Sequence, residues 1–88
     1  MLGVIKVWKI EYSAEALRDL HKLEKSAVRR IIKKLEQAAQ NPNRYFERLV
    51  GYEDYKLRIG DYRVIALLLH GKQIIYVEKI GHRKKIYK

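Results

Sequence analysis

Residues 55–80 form three strand-like runs separated by two tight-turn signals, which leaves little freedom in how the second half of the chain can fold. The runs are Tyr55–Ile59, Tyr62–Leu69 and Gln73–Ile80, all rich in β-branched and aromatic residues. The joints, Gly60-Asp61 and His70-Gly71, have the length and residue types of two-residue hairpin loops, where a positive φ is needed. Strands joined this closely pair with their neighbours, so an antiparallel meander is predicted. Loop length also predicts register. A two-residue loop at Gly60-Asp61 sets Ile59 against Tyr62 and Arg58 against Arg63, with Lys56 two residues back on the same face. A second one at His70-Gly71 sets Arg63 against Glu78.

The first half reads as a strand and two helices. Val4 to Tyr12 suits a strand. Ser13 is placed to N-cap a helix, with Glu15 in its first turn, and Ala16, Leu17, Leu20 and Leu23 recur at the spacing of one apolar face. The register restarts near Lys25-Ser26. Val28, Ile31, Ile32, Leu35 and Ala38/Ala39 then form a second stripe, which Asn41-Pro42-Asn43 ends because proline cannot continue a helix. Two antiparallel helices with a short connection are expected. Arg44 to Asp54 reads as a connection with a short turn around Tyr45–Leu49. The prediction is thus an α+β fold: an N-terminal strand, a helical hairpin covering one face, a three-stranded antiparallel meander and a basic C-terminal tail. With no repeat, linker or low-complexity tract, residues 1–88 are expected to form a single domain.

Composition narrows the function classes. The chain has no cysteine, hence no disulfide framework, and its three isolated histidines, His21, His70 and His82, lack metal-ligand spacing. No apolar run approaches the ~18 residues of a membrane span, and Met1-Leu2-Gly3-Val4 leads directly into a strand pattern rather than a signal peptide, so a cytoplasmic location with no membrane partner is expected. Twenty Lys/Arg against ten Asp/Glu give a net charge of +10, which calls for an anionic partner, nucleic acid first and an acidic protein second.

Most of that excess lies in the last third. From Tyr55 to Lys88, nine Lys/Arg stand against Asp61 and Glu78, a net +7. Opposed like charges such as Arg58 and Arg63 destabilise a sheet by up to about 1 kcal/mol, which a bound phosphate or carboxylate offsets. The alternative is a surface ladder in which Glu78 neutralises the pair. Gly81 then lets the chain turn, bringing His82, Arg83 and Tyr87 to the same end of the sheet. Arginine grips phosphate with two hydrogen bonds, tyrosine stacks on an exposed base, and histidine titrates near neutral pH, although a lone surface histidine is the simpler account of His82.

The run Tyr55-Lys56-Leu57-Arg58-Ile59-Gly60-Asp61-Tyr62-Arg63-Val64-Ile65, followed by an apolar strand and Gly81-His82-Arg83-Lys84-Lys85-Ile86-Tyr87, resembles the RelE/ParE toxin superfamily, and within it the RelE-type messenger-RNA interferases. The resemblance spans nearly the whole chain. It implies a microbial-RNase-like RelE fold and the toxin of a type II toxin–antitoxin pair. It also implies ribosome-dependent endoribonuclease activity that cleaves mRNA in the ribosomal A site without a metal or other cofactor. In such toxins the ribose 2′-hydroxyl attacks the adjacent phosphate. Position by position, Lys56 matches a strand lysine that stabilises charge or takes the proton. Arg63 and Arg83 match the arginines that hold the scissile phosphate, and Tyr87 matches a tyrosine that stacks on or orients the nucleotide. Arg58, Lys84 and Lys85 would support RNA binding. A RelB-like antitoxin, the ribosome and mRNA are the implied partners.

The chain also departs from that pattern. Asp54 stands where some members carry a second lysine, and His82 precedes Arg83 where others place a candidate acid, so Asp54 and His82 are both acid/base candidates and the assignment stays open. Two alternatives share these residues: a ParE-like toxin that inhibits DNA gyrase without cutting RNA, and a basic RNA-binding module without catalysis. On the second helix, Arg30, Lys33, Lys34 and Gln37 recur at i, i+3, i+4 and i+7 opposite the apolar stripe, with Lys22 and Lys25 near the helix junction. As a set they are candidates for binding ribosomal RNA or an acidic antitoxin segment; singly, each is an ordinary solvated residue.

Overall fold

The structure, a computed structural model, describes residues 7–84. Tyr87 and Lys85, named above as site residues, and the start of the predicted first strand lie outside them. Among the described residues the chain runs β1 (Lys9–Tyr12), α1 (Ala14–His21), α2 (Lys25–Ala38), α3 (Pro42–Tyr45), β2 (Glu47–Arg48), β3 (Tyr55–Ile59), β4 (Tyr62–Leu69) and β5 (Ile74–His82). The strands form one five-stranded sheet in the order β1-β5-β4-β3-β2. The predicted meander is its centre. β1 is added parallel to β5, and the short β2 pairs antiparallel with the start of β3.

Local chemistry explains most boundaries. Ser13 caps α1 as expected, its Oγ accepting from the Ala16 N–H at 2.9 Å. Asn41-Pro42 ends α2, but Pro42 also starts the one-turn α3, where its missing N–H costs nothing. The segment read as a plain connection therefore contains a helical turn and the strand β2. The two helices cover one face of the sheet. Ala16 of α1 and Ile31, Leu35 and Ala38 of α2 pack with Leu57, Ile59, Val64, Ala66, Leu68, Ile75, Val77 and Ile80 from alternate positions of β3, β4 and β5. This period of two against 3.6 is the one the sequence pattern carried. The α1 stripe is shallower than expected: only Ala16 is buried, and Leu17 is 47% exposed.

The β3–β4 joint is the predicted two-residue loop. Gly60 has φ 58° and Arg58 pairs with Arg63. The β4–β5 joint is not. Leu69 pairs with Ile74, so the loop holds four residues, His70–Gln73, with Gln73 taking the positive φ of 55°. A bulge at Glu78 follows, between the pairs Ile65–Lys79 and Ala66–Val77. Together they slide β5 by three residues, so Arg63 faces Gly81 rather than Glu78. The predicted Arg58–Arg63–Glu78 ladder does not form. The bulge is held by α1: Ser13 Oγ donates to the Glu78 carbonyl at 2.8 Å, and Asp19 Oδ2 accepts from the Ile80 N–H at 2.9 Å. His70 packs edge-on against Trp8 and shares a 3.2 Å hydrogen bond with Asn43, a packing role at the loop.

Candidate active site

Strand alternation puts Lys56, Arg58, Arg63 and Lys79 on the sheet face away from the helices, because their neighbours Leu57, Ile59, Val64 and Ile80 point into the core. Lys56 pairs with Ile65, which pairs in turn with Lys79; one step toward the hairpin turn, Arg58 pairs with Arg63 and Arg63 with Gly81. Gly81 sets no side chain beside Arg63. The chain then bends back, and the Arg83 N–H donates to the Asp61 carbonyl at 2.8 Å, pinning Arg83 beside the β3–β4 turn. Lys56, Arg58, Arg63 and Arg83 are thus gathered at one end of the sheet.

These cations are not equivalent. Arg58 and Arg83 are exposed and Lys56 is half-buried, whereas Arg63 is only 5% exposed. Its Nη1 donates to the carbonyls of Gly60 at 3.3 Å and Tyr62 at 3.1 Å. Carbonyl dipoles hold the guanidinium in place without neutralising it, so an anion reaching it meets a preset charge. His82 occupies the same end of the sheet but the other face, since it pairs with Tyr62 and stacks edge-on against that ring at 6.0 Å; its Nδ1 accepts from the Lys84 N–H at 3.3 Å. The sheet therefore separates His82 from the arginine row.

The structure brings out one carboxyl that sequence reasoning had cast only as a neutralising charge. Glu78 Oε1 is enclosed and has no hydrogen-bond partner among the described residues. Burial pushes the Glu78 carboxyl up to about 7; the hydrogen bond its protonated form donates to Asp54 and the like charge of Asp54 add to this, as does Glu15, and Lys79 opposes it. Asp54 shares the alternation of Lys56 and Arg58, so the Asp54–Glu78 pair belongs to the face that carries the cations. No sequence signal marked it, because the bulge and four-residue loop that bring Glu78 there are not legible locally. Because the folded chain holds this proton more tightly than the unfolded chain, stability is full below about pH 4.5 and is lost as pH rises toward about 7. Glu78→Gln, whose amide can still bond Asp54, is expected to flatten the fall of Tm between pH 5 and pH 8 and to raise Tm by a few degrees at the upper end. Parallel wild-type and variant curves in calorimetry would rule this carboxyl out as the source.

A second cationic feature lies where α2 approaches the β3–β4 turn. Arg30, Lys33, Lys34, Gln37, Arg58, Ile59 and Gly60 line a pocket of about 340 Å³. The Lys34 ammonium also sits 4.9 Å over the Tyr45 ring. Lys84 is exposed just past Arg83. Among the described residues no helix is long and apolar enough to cross a membrane.

Residues 10–87 match the family described as the ParE toxin of the type II toxin–antitoxin system parDE. Over 81 residues the chain is 27% identical to a protein of Escherichia coli described as a RelE-like toxin, covering 89% of this chain and 85% of that protein. Its fold is similar to that of the RelBE2 toxin–antitoxin complex of Mycobacterium tuberculosis, with a TM-score of 0.81, 20% identity, and coverage of 89% of this chain and all of that one. The intact Escherichia coli RelBE complex gives a TM-score of 0.72 at 24% identity, covering 85% of this chain and 95% of that one. At these identities the structural likeness is one of fold.

Proposed function

This chain belongs to the ParE toxin family, within the RelE/ParE superfamily, and is the toxin of a type II toxin–antitoxin system; from that premise we propose that it is a ribosome-dependent endoribonuclease that cuts mRNA by attack of a ribose 2′-hydroxyl on the adjacent phosphodiester. The observation that carries this reading is the convergence of Lys56, Arg58, the buried, carbonyl-held Arg63 and the backbone-pinned Arg83 at one end of one sheet. The 2′-hydroxyl loses its proton to the site as its oxygen bonds to phosphorus and the P–O5′ bond breaks; the leaving 5′-oxygen takes a proton from water, which gives a 2′,3′-cyclic phosphate and a 5′-hydroxyl. Arg63 and Arg83 hold the non-bridging oxygens as charge builds on the phosphorane, and Lys56 adds to that field or accepts the proton. Tyr87, by its place in the motif, would stack on the nucleotide. The Asp54–Glu78 pair, with a carboxyl titrating near 7, is the better-matched proton acceptor at neutral pH. His82 faces away and fits that role less well.

The partner that restrains the toxin is proposed to be a RelB-like antitoxin, by likeness to the complexes of similar fold. A second reading, inhibition of DNA gyrase without RNA cleavage, is favoured by the name of the matched family. Primer extension on mRNA translated in a purified system separates the two. The proposal expects new 5′ ends within codons that appear only when ribosomes are present. Intact mRNA together with blocked supercoiling by gyrase would replace it with the second reading.

A further inference from the structure

The pocket between α2 and the β3–β4 turn shares only Arg58 with the proposed cleavage site, and its construction is specific. Its charged lining is entirely cationic: Arg30, Lys33 and Lys34 from α2 and Arg58 from β3, with Gln37, Ile59 and Gly60 as the neutral wall. Like charges at i, i+4, such as Arg30 and Lys34, cost a free helix a few tenths of a kcal/mol. Gly60 serves this pocket as well as the turn. A Cβ on it would lie 2.6 Å from Arg30 Nη2, so the guanidinium lies against the bare backbone of the turn, and a side chain there would make its flexible tip move aside. The Tyr45 ring in turn steadies Lys34.

We propose that this pocket binds a backbone phosphate of RNA, as a docking site separate from the one that holds the scissile phosphate. Arg58 is the reason for choosing RNA. It lines the pocket and also pairs with Arg63 in the row on the sheet face, so the two cationic sites form one track around the edge of β3. A ligand with regularly repeated negative charges can occupy both ends of such a track; an isolated carboxylate fills one. Four cations around a single small pocket also suit a phosphate, with its several acceptor oxygens, better than the two oxygens of a carboxylate. This inference rests on the RNA-directed reading above, but it concerns binding away from the cut.

The test is fluorescence anisotropy with a labelled RNA hairpin of about 20 nucleotides, without ribosomes, across a salt series. Arg30→Gln/Lys33→Gln, both at exposed positions, is expected to bind the hairpin roughly 5–10-fold more weakly near 0.1 M salt, with the slope of log K against log salt shallower by about 1–2 and Tm unchanged within about 2 °C. Inorganic phosphate at matched ionic strength is expected to compete poorly, because it occupies one end of the track. The proposal is overturned if wild type and variant bind the hairpin alike, if wild type does not bind it, or if inorganic phosphate competes as well as RNA does. It is likewise overturned if the double substitution weakens binding of poly-L-glutamate but not of RNA, which would assign the pocket to an acidic protein. These outcomes are independent of the primer-extension result: intact translated mRNA defeats the nuclease reading even where hairpin binding behaves as expected, and unchanged hairpin binding defeats the pocket even where mRNA is cut.

Discussion

Arg83→Ala is expected to lower cleavage of ribosome-bound mRNA by about 10²–10³-fold while leaving Tm within about 2 °C of wild type. The two halves of that expectation have separate causes. Arg83 is exposed and is tied into the fold through its backbone, by the N–H bond to Asp61, so losing the side chain leaves the hairpin intact. Its side chain is exposed, and a single donor to the charge that builds in the transition state carries an effect of this size. Arg63→Ala would be a poorer probe, because Arg63 is buried and holds the Gly60 and Tyr62 carbonyls; its loss should cost stability as well as activity. Single-turnover cleavage and thermal melting on the same preparations check both halves. Retention of more than about a tenth of the wild-type rate by Arg83→Ala would remove this residue from the phosphate site.

Leu35→Ala is expected to damage the helical layer severely, costing about 3 kcal/mol and lowering Tm by roughly 10–20 °C. Leu35 is fully buried and belongs to the cluster in which α2 packs on β3, β4 and β5. In a domain of this size the cost is a large share of the total stability of about 5–15 kcal/mol. Leu17→Ala on α1 serves as the comparison. Its side chain is 47% exposed, so the same chemical change should cost about 1 kcal/mol or less. Equal losses for the two variants in urea melts would contradict the packing of α2 described above.

The legible parts of the fold are those whose cause lies within a few residues. β3 and β4 begin and end where the run patterns predicted, because Gly60 meets a left-handed turn and Arg58 must then oppose Arg63. The Ser13 cap and the end of α2 were legible for the same reason. Of the candidate site, Lys56, Arg58, Arg63 and Arg83 were identified and fall at one end of the sheet. The second joint misled because His70-Gly71 has the residues of a tight turn, yet the positive φ falls on Gln73. No local rule marks a glutamine for that conformation, since glycine and asparagine are the residues that usually take it. The misjudged loop displaced the expected pairing by two residues and the bulge at Glu78 by one more, so Glu78 rather than Gly81 was expected opposite Arg63.

By itself, the sequence determined a basic α+β chain with an antiparallel centre, an apolar face for each helix and a row of cations on the strand face opposite the core. These follow from side-chain period, turn chemistry and charge count, all of which act over short stretches of chain. Three features were decided only by the tertiary structure: the slide of β5, the parallel docking of β1 beside it, and the enclosure of Glu78 next to Asp54. Each depends on groups far apart in sequence, such as Ser13 with the Glu78 carbonyl and Asp19 with the Ile80 N–H. A carboxyl held near pH 7 is likewise made by burial and a neighbouring charge, and neither exists until the chain has folded.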